Sequence, residues 1–591
     1  MRKFGIGMFL VIILSRFVYS ADFSVYSATM TVRSSLFHSA PVAATRKTFV
    51  ISGEELKKNL VTTIDEAFSL IPSITFNRRG ALNISSDISV RGSYFEHVLI
   101  MVDGISINEK QTGHHNLDIP VQINDIERIE VVYGPSSSLY GSGAYAGVIN
   151  IITKESQKKI NAGIMFGSHD LYEVNASIPL TYNGTDNIIS FNKIKSSGYR
   201  RETQSDENGV SLISRHSLNN AKLSLIAGYN QKDFGANGFY GAYPSHEKLQ
   251  QSFITIQSEH YINNKTTLIP KIFFKEHNDE FTLTVDNPAL YINETESIAY
   301  GCDIGLSGDL DNGALRMNVS ASQNDLDSSI NGEYQETITA GYAGYEGEFN
   351  SLMVMCGLRD EYNDQHGNIL LPHMGFGGDL TDELKWRASV SRGHSYPSFT
   401  DRYYLSPANV GTLDLKPETA WTYEAGVVHN LGLIWEANIF ARDETDVIDY
   451  YLKNNKWIAG NIHLARVRGF EFNTTIKALS CETKLNYIYI DLYAAVANDY
   501  VSKYRLNYVR NNLVFDITLP KIYNVLSAFT ITYNDRVNYK EYGYVDVRFS
   551  RNFGDLTAFV KGKNIFSEYY EEILGVPMPG AWWFCGLEVK L

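Results

Sequence analysis

A two-residue period, sustained over hundreds of residues without a long apolar run, constrains this chain more than anything else in it. From Glu155 onward short alternating segments are separated by polar or glycine-containing loops. In the last of them Trp583, Cys585, Leu587, Val589 and Leu591 alternate with Phe584, Gly586, Glu588 and Lys590. Val545, Val547 and Phe549 alternate in the same way with Asp546, Arg548 and Ser550, and Leu556, Ala558 and Val560 with Thr557, Phe559 and Lys561. Such a period makes strands with one apolar face. A soluble antiparallel sandwich would show it too. The sequence holds no apolar stretch of about 18 residues, which excludes a membrane-spanning helix but not a membrane barrel, whose lipid-facing and lumen-facing residues alternate.

The N-terminus decides between the two. Arg2 and Lys3 precede the apolar core Phe4–Leu14, and Val18-Tyr19-Ser20 precede Ala21. This is the pattern of a secretory signal peptide, residues 1–20, too short to span. Tyr (38) and Phe (30) are abundant and Pro (15) is scarce, as ladders of strands require. Trp582-Trp583 and Tyr569-Tyr570 fall at strand ends, where interfacial girdles sit. At about 20 residues per strand and loop, residues 155–591 make an antiparallel transmembrane β-barrel of ~22 strands, wide enough to need a plug.

A plug-sized unit is present. Residues 48–154 read as a small mixed α/β domain: a strand at Thr48–Ser52, a helix at Ile64–Leu70 stopped by Pro72, strands at Ile74–Asn77 and Ile88–Arg91, and the apolar runs Val98–Val102, Ile126–Tyr133 and Val148–Thr153. Ser52 with Glu55, and Thr63 with Glu66, match capping boxes. Asp103-Gly104 signals a hairpin. Arg91, Arg128 and Glu130 interrupt apolar strand positions. Inside a water-filled barrel they can pair with wall charges and lock the plug. Residues 21–47 form a polar segment containing the β-prone pentapeptide Ala28-Thr29-Met30-Thr31-Val32, able to add as a strand to a partner's sheet edge.

No enzymatic constellation appears. Gly141-Ser142-Gly143-Ala144-Tyr145-Ala146 mimics a dinucleotide turn, but it enters a strand where that turn enters a helix. No HExxH accompanies His114-His115, so a loop or ligand-contact role is expected and no metal is assigned. Cys302, Cys356, Cys481 and Cys585 form no CxxC pair, and Cys585 lies in the apolar register of its strand, facing lipid. A net charge of −14 argues against a nucleic-acid partner.

Along its mature length the chain resembles the TonB-dependent outer-membrane receptors. The resemblance rests on Val90-Arg91-Gly92, Val98 to Gly104, Glu127-Arg128-Ile129-Glu130-Val131, Gly134-Pro135, Tyr140-Gly141 and Gly147 to Thr153. In the barrel it rests on Arg359-Asp360, Tyr396 to Phe399, Leu415 to Glu418, Tyr423 to Gly426, Arg468 to Glu471, Lys563 to Phe566 and Pro577 to Gly580. Barrels of the family commonly end in Phe, whereas this one ends in Leu591. Within the family the chain is most similar to the cobalamin-receptor branch, with Asp233 to Tyr240 resembling a loop of receptors for cobalamin or related metal chelates.

The resemblance implies active uptake of a scarce small molecule, a corrinoid or an iron chelate, by a monomer in outer-membrane lipid. Energy would come from the inner-membrane TonB complex acting on Ala28–Val32 as the TonB box. It implies no resident cofactor and leaves room for Ca2+ in the extracellular loops. The alternatives are a ferric-siderophore or haem receptor, a passive channel and an adhesin. Ligand contacts are expected at the plug tips, from Arg78, Arg79, Tyr94, Asn108, His114, His115 and Asn116, and at the outer loop, from Phe239, Tyr240 and Tyr243.

Overall fold

The computed structural model describes residues 42–591 apart from 82–83, 431–432, 479 and 498. The leader and the pentapeptide at 28–32 lie outside the described residues. Twenty-two antiparallel strands, from Asn161–Gly167 to Trp582–Lys590, close into a barrel. The seam pairs those two strands, and Leu591 and Ile160 exchange backbone hydrogen bonds of 2.9 and 3.0 Å just beyond it. Turns on one rim, such as 183–184, 264–265 and 311–312, are short, whereas those on the other, such as 396–417 and 564–581, are long. Short turns face the periplasm and long loops face outward.

The two-residue period has its expected physical outcome in the last strand. Trp583 and Leu587 are exposed on the outer face, beside a band that includes Phe166, Ile254, Ile256 and Ile304. Cys585 and Cys302 are free thiols exposed on the barrel. The girdle expectation is half right. Trp583 and Tyr569 face out, but Trp582 is buried in a cluster with Leu60 and Phe584, and Tyr570 stacks inward on Tyr542 at 4.5 Å.

Inside the barrel the plug is a mixed five-stranded sheet. In it β1 (Thr48–Ser52), β6 (Ile126–Tyr133), β7 (Gly147–Thr153), β4 (Val98–Val102) and β5 (Ile105–Ser106) lie in that order, with β7 and β4 parallel. A separate hairpin joins β2 (Ile74–Arg78) to β3 (Ser86–Val90). Every residue of β4 is buried, which is why that run is apolar without alternation. Asp103 (φ 44°) and Gly104 (φ 81°) make the tight turn from β4 to β5, with left-handed backbone at both positions.

Helix α1 (Val42–Thr45) packs against the wall, whereas α2 (Gly53–Lys58) and α3 (Ile64–Ser69) pack with the plug strands. Ser52 Oγ caps α2 by accepting from Glu55 N at 3.1 Å. The return half of that box is missing, since the Glu55 carboxylate pairs with Lys484, and the second expected box does not form. Thr63 makes no cap bond, and the Glu66 carboxylate accepts from Thr62 N and turns to the wall. The packed unit also begins before β1, since Thr45, Arg46 and Lys47 are buried.

Candidate functional site

The plug is held by charge. Arg91, in the left-handed turn after β3 (φ 52°), donates to Glu471 through Nε at 3.0 Å and Nη2 at 2.8 Å, and its Nη1 lies 3.0 Å from Glu424. Lys47 adds a second cation 3.0 Å from Glu471. The Phe440 ring covers the guanidinium at 4.6 Å. Burial opposes the charge on Arg91, but Glu424 and Glu471 outweigh it and hold the guanidinium more firmly protonated than usual. Gly134 is required here. Its φ is 77°, and a Cβ would stand 1.9 Å from Glu424 Oε1.

Of the three expected locks, Arg91 reaches the wall. Arg128 Nε donates to Glu130 Oε1 at 2.7 Å on its own strand, which meets the cost of its charge locally. Other locks were not singled out in the sequence. Glu66 lies 3.1 Å from Lys561 and 2.8 Å from Lys563, and Glu109 lies 3.1 Å from Lys275. Asp103 receives Arg215 at 2.7 Å, and Arg505 donates to the Gly92 carbonyl at 2.7 Å. A signal did exist, since Lys561 and Glu471 occupy lumen positions of the alternating register. Register does not say which plug residue stands opposite.

Above the plug, on the long-loop side, an open cup of about 690 Å3 lies between the plug tip and the wall. Tyr94, Phe95, Thr112, His114 and His115 form its floor, and Tyr240, Glu247, Asp279, Asp401, Tyr404, Tyr450, Lys503 and Tyr504 its sides. The rings interlock: Tyr94 lies 5.7 Å from Tyr504, Phe95 meets Tyr504 edge-on at 5.6 Å, and Phe95 lies 4.2 Å from His114. Such contacts fix rings that would otherwise be mobile in a loop.

The expected contact residues divide. Tyr94, His114, His115 and Tyr240 line the cup. Arg79 sits beneath it, fully buried, with Nη2 on Asp87 Oδ2 at 2.7 Å and its guanidinium 5.4 Å from the Tyr240 ring. Arg78 ties the plug to an outer loop, 3.2 Å from Glu572, and to Asp65 at 3.4 Å. Asn108 and Asn116 do not face the cup. Asn108 accepts from Ile100 N at 2.7 Å and donates to the Val98 carbonyl, and Asn116 accepts from Glu109 N at 2.8 Å. Both close turns of the plug, a role asparagine side chains often take. Phe239 is buried in a cluster with Ile84 and Phe234, and Tyr243 stands 38 % exposed outside the lining. The sequence pointed to neither Lys503 nor Tyr504, since their 495–508 loop carries no pattern.

Burial shifts the ionisable groups of the cup. Burial pushes His114 down to about 4, with Asp87 opposing at 2.6 Å from Nδ1, so the imidazole is neutral near pH 7. Burial, reinforced by Arg79, lowers Lys503 to about 7. Burial raises Asp401 to about 6, against hydrogen bonds from Ser398. An anionic ligand would meet a carboxylate at Asp401 and a lysine only partly charged. Arg79 is already ion-paired.

Residues 159–565 match the family model "TonB dependent receptor-like, beta-barrel", and residues 41–148 match "TonB-dependent Receptor Plug Domain". Among curated relatives, the "Vitamin B12 transporter BtuB" of Vibrio vulnificus (strain YJ016) is 25% identical over 483 residues, 75% of each chain. That of Photobacterium profundum is 24% identical over 481 residues, again 75% of each. Among solved structures, the "Copper transporter OprC" superposes with a TM-score of 0.79 at 14% identity, covering 92% of this chain and 100% of its own. The siderophore receptor PirA of Pseudomonas aeruginosa gives 0.74 at 18%, covering 92% and 99%.

Proposed function

The chain belongs to the TonB-dependent receptors of the outer membrane, and on that premise we propose that it takes up a corrinoid, cobalamin or a close relative. The observation that carries this reading is the cup, whose lining is aromatic, rich in hydroxyls and, among the described residues, without arginine. A ferric siderophore or haem brings anionic groups, and the described lining offers no arginine to pair with them. A corrinoid presents a broad apolar face and a rim of neutral amides. Tyr94, Tyr240, Tyr450 and Tyr504 can stack on the one and hydrogen-bond to the other. The vitamin B12 transporters among the relatives support the same choice.

Ligand held in the cup touches the plug tip and the wall together. We place the TonB box at Ala28–Val32, which pairs by strand addition with the inner-membrane partner. Pull on that segment must then break the buried ion pairs of the plug before anything passes. The charge locks therefore set the force required.

Binding of purified protein to cobalamin, cobinamide, haem and several ferric siderophores tests the ligand. Tight binding of a corrinoid alone is expected, and a siderophore bound in its place overturns the reading. A proline at Thr31 removes a main-chain donor. It should abolish uptake while leaving binding intact, and unimpaired uptake would refute the box.

A further inference from the structure

The mechanism above leaves one cluster without work. Under the floor of the cup, where plug meets wall, two histidines and a carboxylate converge. His115 and Asp118 come from the plug, and His277 from the wall strand Thr266–Thr282. His115 Nδ1 lies 3.5 Å from Asp118 Oδ2, and His277 Nε2 lies 3.8 Å from the same oxygen. These three donor atoms all fall within 4.8 Å of one another. The spacing is that of loose ion pairs, longer than ordinary hydrogen bonds. It is close to the roughly 3.3 Å that separates two donors on a tetrahedral ion with ligand bonds of about 2.0–2.1 Å.

An independent observation concerns His277. Its side chain is 0% exposed, and neither ring nitrogen has a hydrogen-bond partner. A buried imidazole left unsatisfied in this way is costly and uncommon. The surrounding groups hold the donors in place. Lys232 Nζ sits 2.7 Å from Asp118 Oδ1, leaving Oδ2 turned to the histidines. On the far side of the ring, His115 Nε2 faces Asp279 at 3.8 Å, and Gln111 donates to that carboxylate at 2.8 Å. A carboxylate behind a metal-binding histidine orients the ring and raises its basicity.

We propose that His115, Asp118 and His277 form a binding site for a first-row divalent transition cation, of the zinc class, which fastens the plug to the barrel wall beneath the cup. Two imidazoles and one carboxylate suit zinc, copper or nickel better than calcium or magnesium, which take oxygen ligands. Because His115 also lines the cup, the ion has a route from outside and its loss or capture is felt at the ligand floor. The site does not depend on which nutrient the cup takes.

The test uses the full mature protein in detergent, stripped with a chelator and titrated with Co2+ and then Zn2+. One Co2+ per chain is expected, with visible d–d absorption of a four- or five-coordinate N/O site that Zn2+ abolishes. His115→Ala and His277→Ala should each weaken binding at least tenfold, whereas His463→Ala, in an exposed position, should not. Zinc should slow proteolysis of the plug in the unaltered protein and not in His277→Ala. Three outcomes overturn the proposal: no stoichiometric binding by the unaltered protein, undiminished binding by both variants, or the near-UV charge-transfer bands of a cysteine site. The unaltered protein alone decides the first and third, so a variant that fails to fold does not shield the idea.

Discussion

The two flanks of the plug are fastened differently. Around Arg91 the plug meets the wall directly. Lys47, Arg91, Glu424 and Glu471 form a largely buried network covered by Phe440. On the side of the last strands a crevice of about 1430 Å3 runs between plug and wall, lined by α3, β2 and strands from Val509 to Phe584. The ties that line it are separate ones: Glu66 to Lys561 and Lys563, Arg78 to Glu572, and Arg536 to the Phe76 carbonyl at 2.9 Å. The contrast separates two jobs. One flank supplies attachment. The other supplies room into which a loosened plug can move without first expelling packed side chains.

The sharpest way to break this comparison is Arg91→Ala. It leaves Glu471 and Glu424 buried with Lys47 as the remaining close cation, and removing one partner of a buried pair costs about 3–5 kcal/mol. Hydrogen exchange should show the plug opening far more often while the barrel stays folded. Glu66→Gln on the crevice side should do less, about 1–3 kcal/mol, because Lys561 keeps the Leu60 carbonyl and Thr62 hydroxyl and Lys563 is partly exposed. If Glu66→Gln frees the plug as readily as Arg91→Ala, the division into attached and open flanks is wrong.

The cup gives a smaller contrast between residues that line it and neighbours that do not. Tyr504→Ala should weaken ligand binding by roughly tenfold, in line with about 1–1.5 kcal/mol for one aromatic contact. Asn108→Ala should leave affinity nearly unchanged and lower plug stability. Equal losses of affinity would erase the distinction.

The smallest effect concerns Lys503. A lysine held at about 7, below its ordinary 10.5, is favoured neutral in the fold. Its contribution is therefore complete above the ordinary value and falls away as pH drops toward 7, where the folded protein also takes up the proton. Between these limits Lys503 should acylate faster at pH 8 than exposed lysines such as Lys265. A rate no greater than theirs would contradict the burial argument.

Most of the frame could be read from the chain because it rests on local periodicity. β1, β4 and β6 fall at the residues the apolar runs marked, and the Asp103-Gly104 turn needs only its own two residues. The cup could not be read in the same way. His114 and Tyr240 could be suspected from their loops, but Lys503 and Tyr504 reach it only because the barrel brings distant loops together. Asn108 and Asn116 misled because an asparagine at a plug tip can serve a ligand or close a turn equally well. Glu66 misled for a similar reason. It matches a helix-capping pattern, and the stronger attraction of two wall lysines lies about 500 residues away, beyond any pattern of spacing.

The seam between Asn161–Gly167 and Trp582–Lys590 fixes an order of events. It joins segments some 400 residues apart, about the most remote pairing the barrel makes, and the entropy of so large a loop is lost only when the ends meet. Until that happens the growing sheet has two open edges and an uncapped lumen. The plug precedes the first strand, and its ion pairs reach wall strands on several sides. A plug gathered in as the sheet curls would meet those partners one after another. The final strand then acts as a lid on a box already packed.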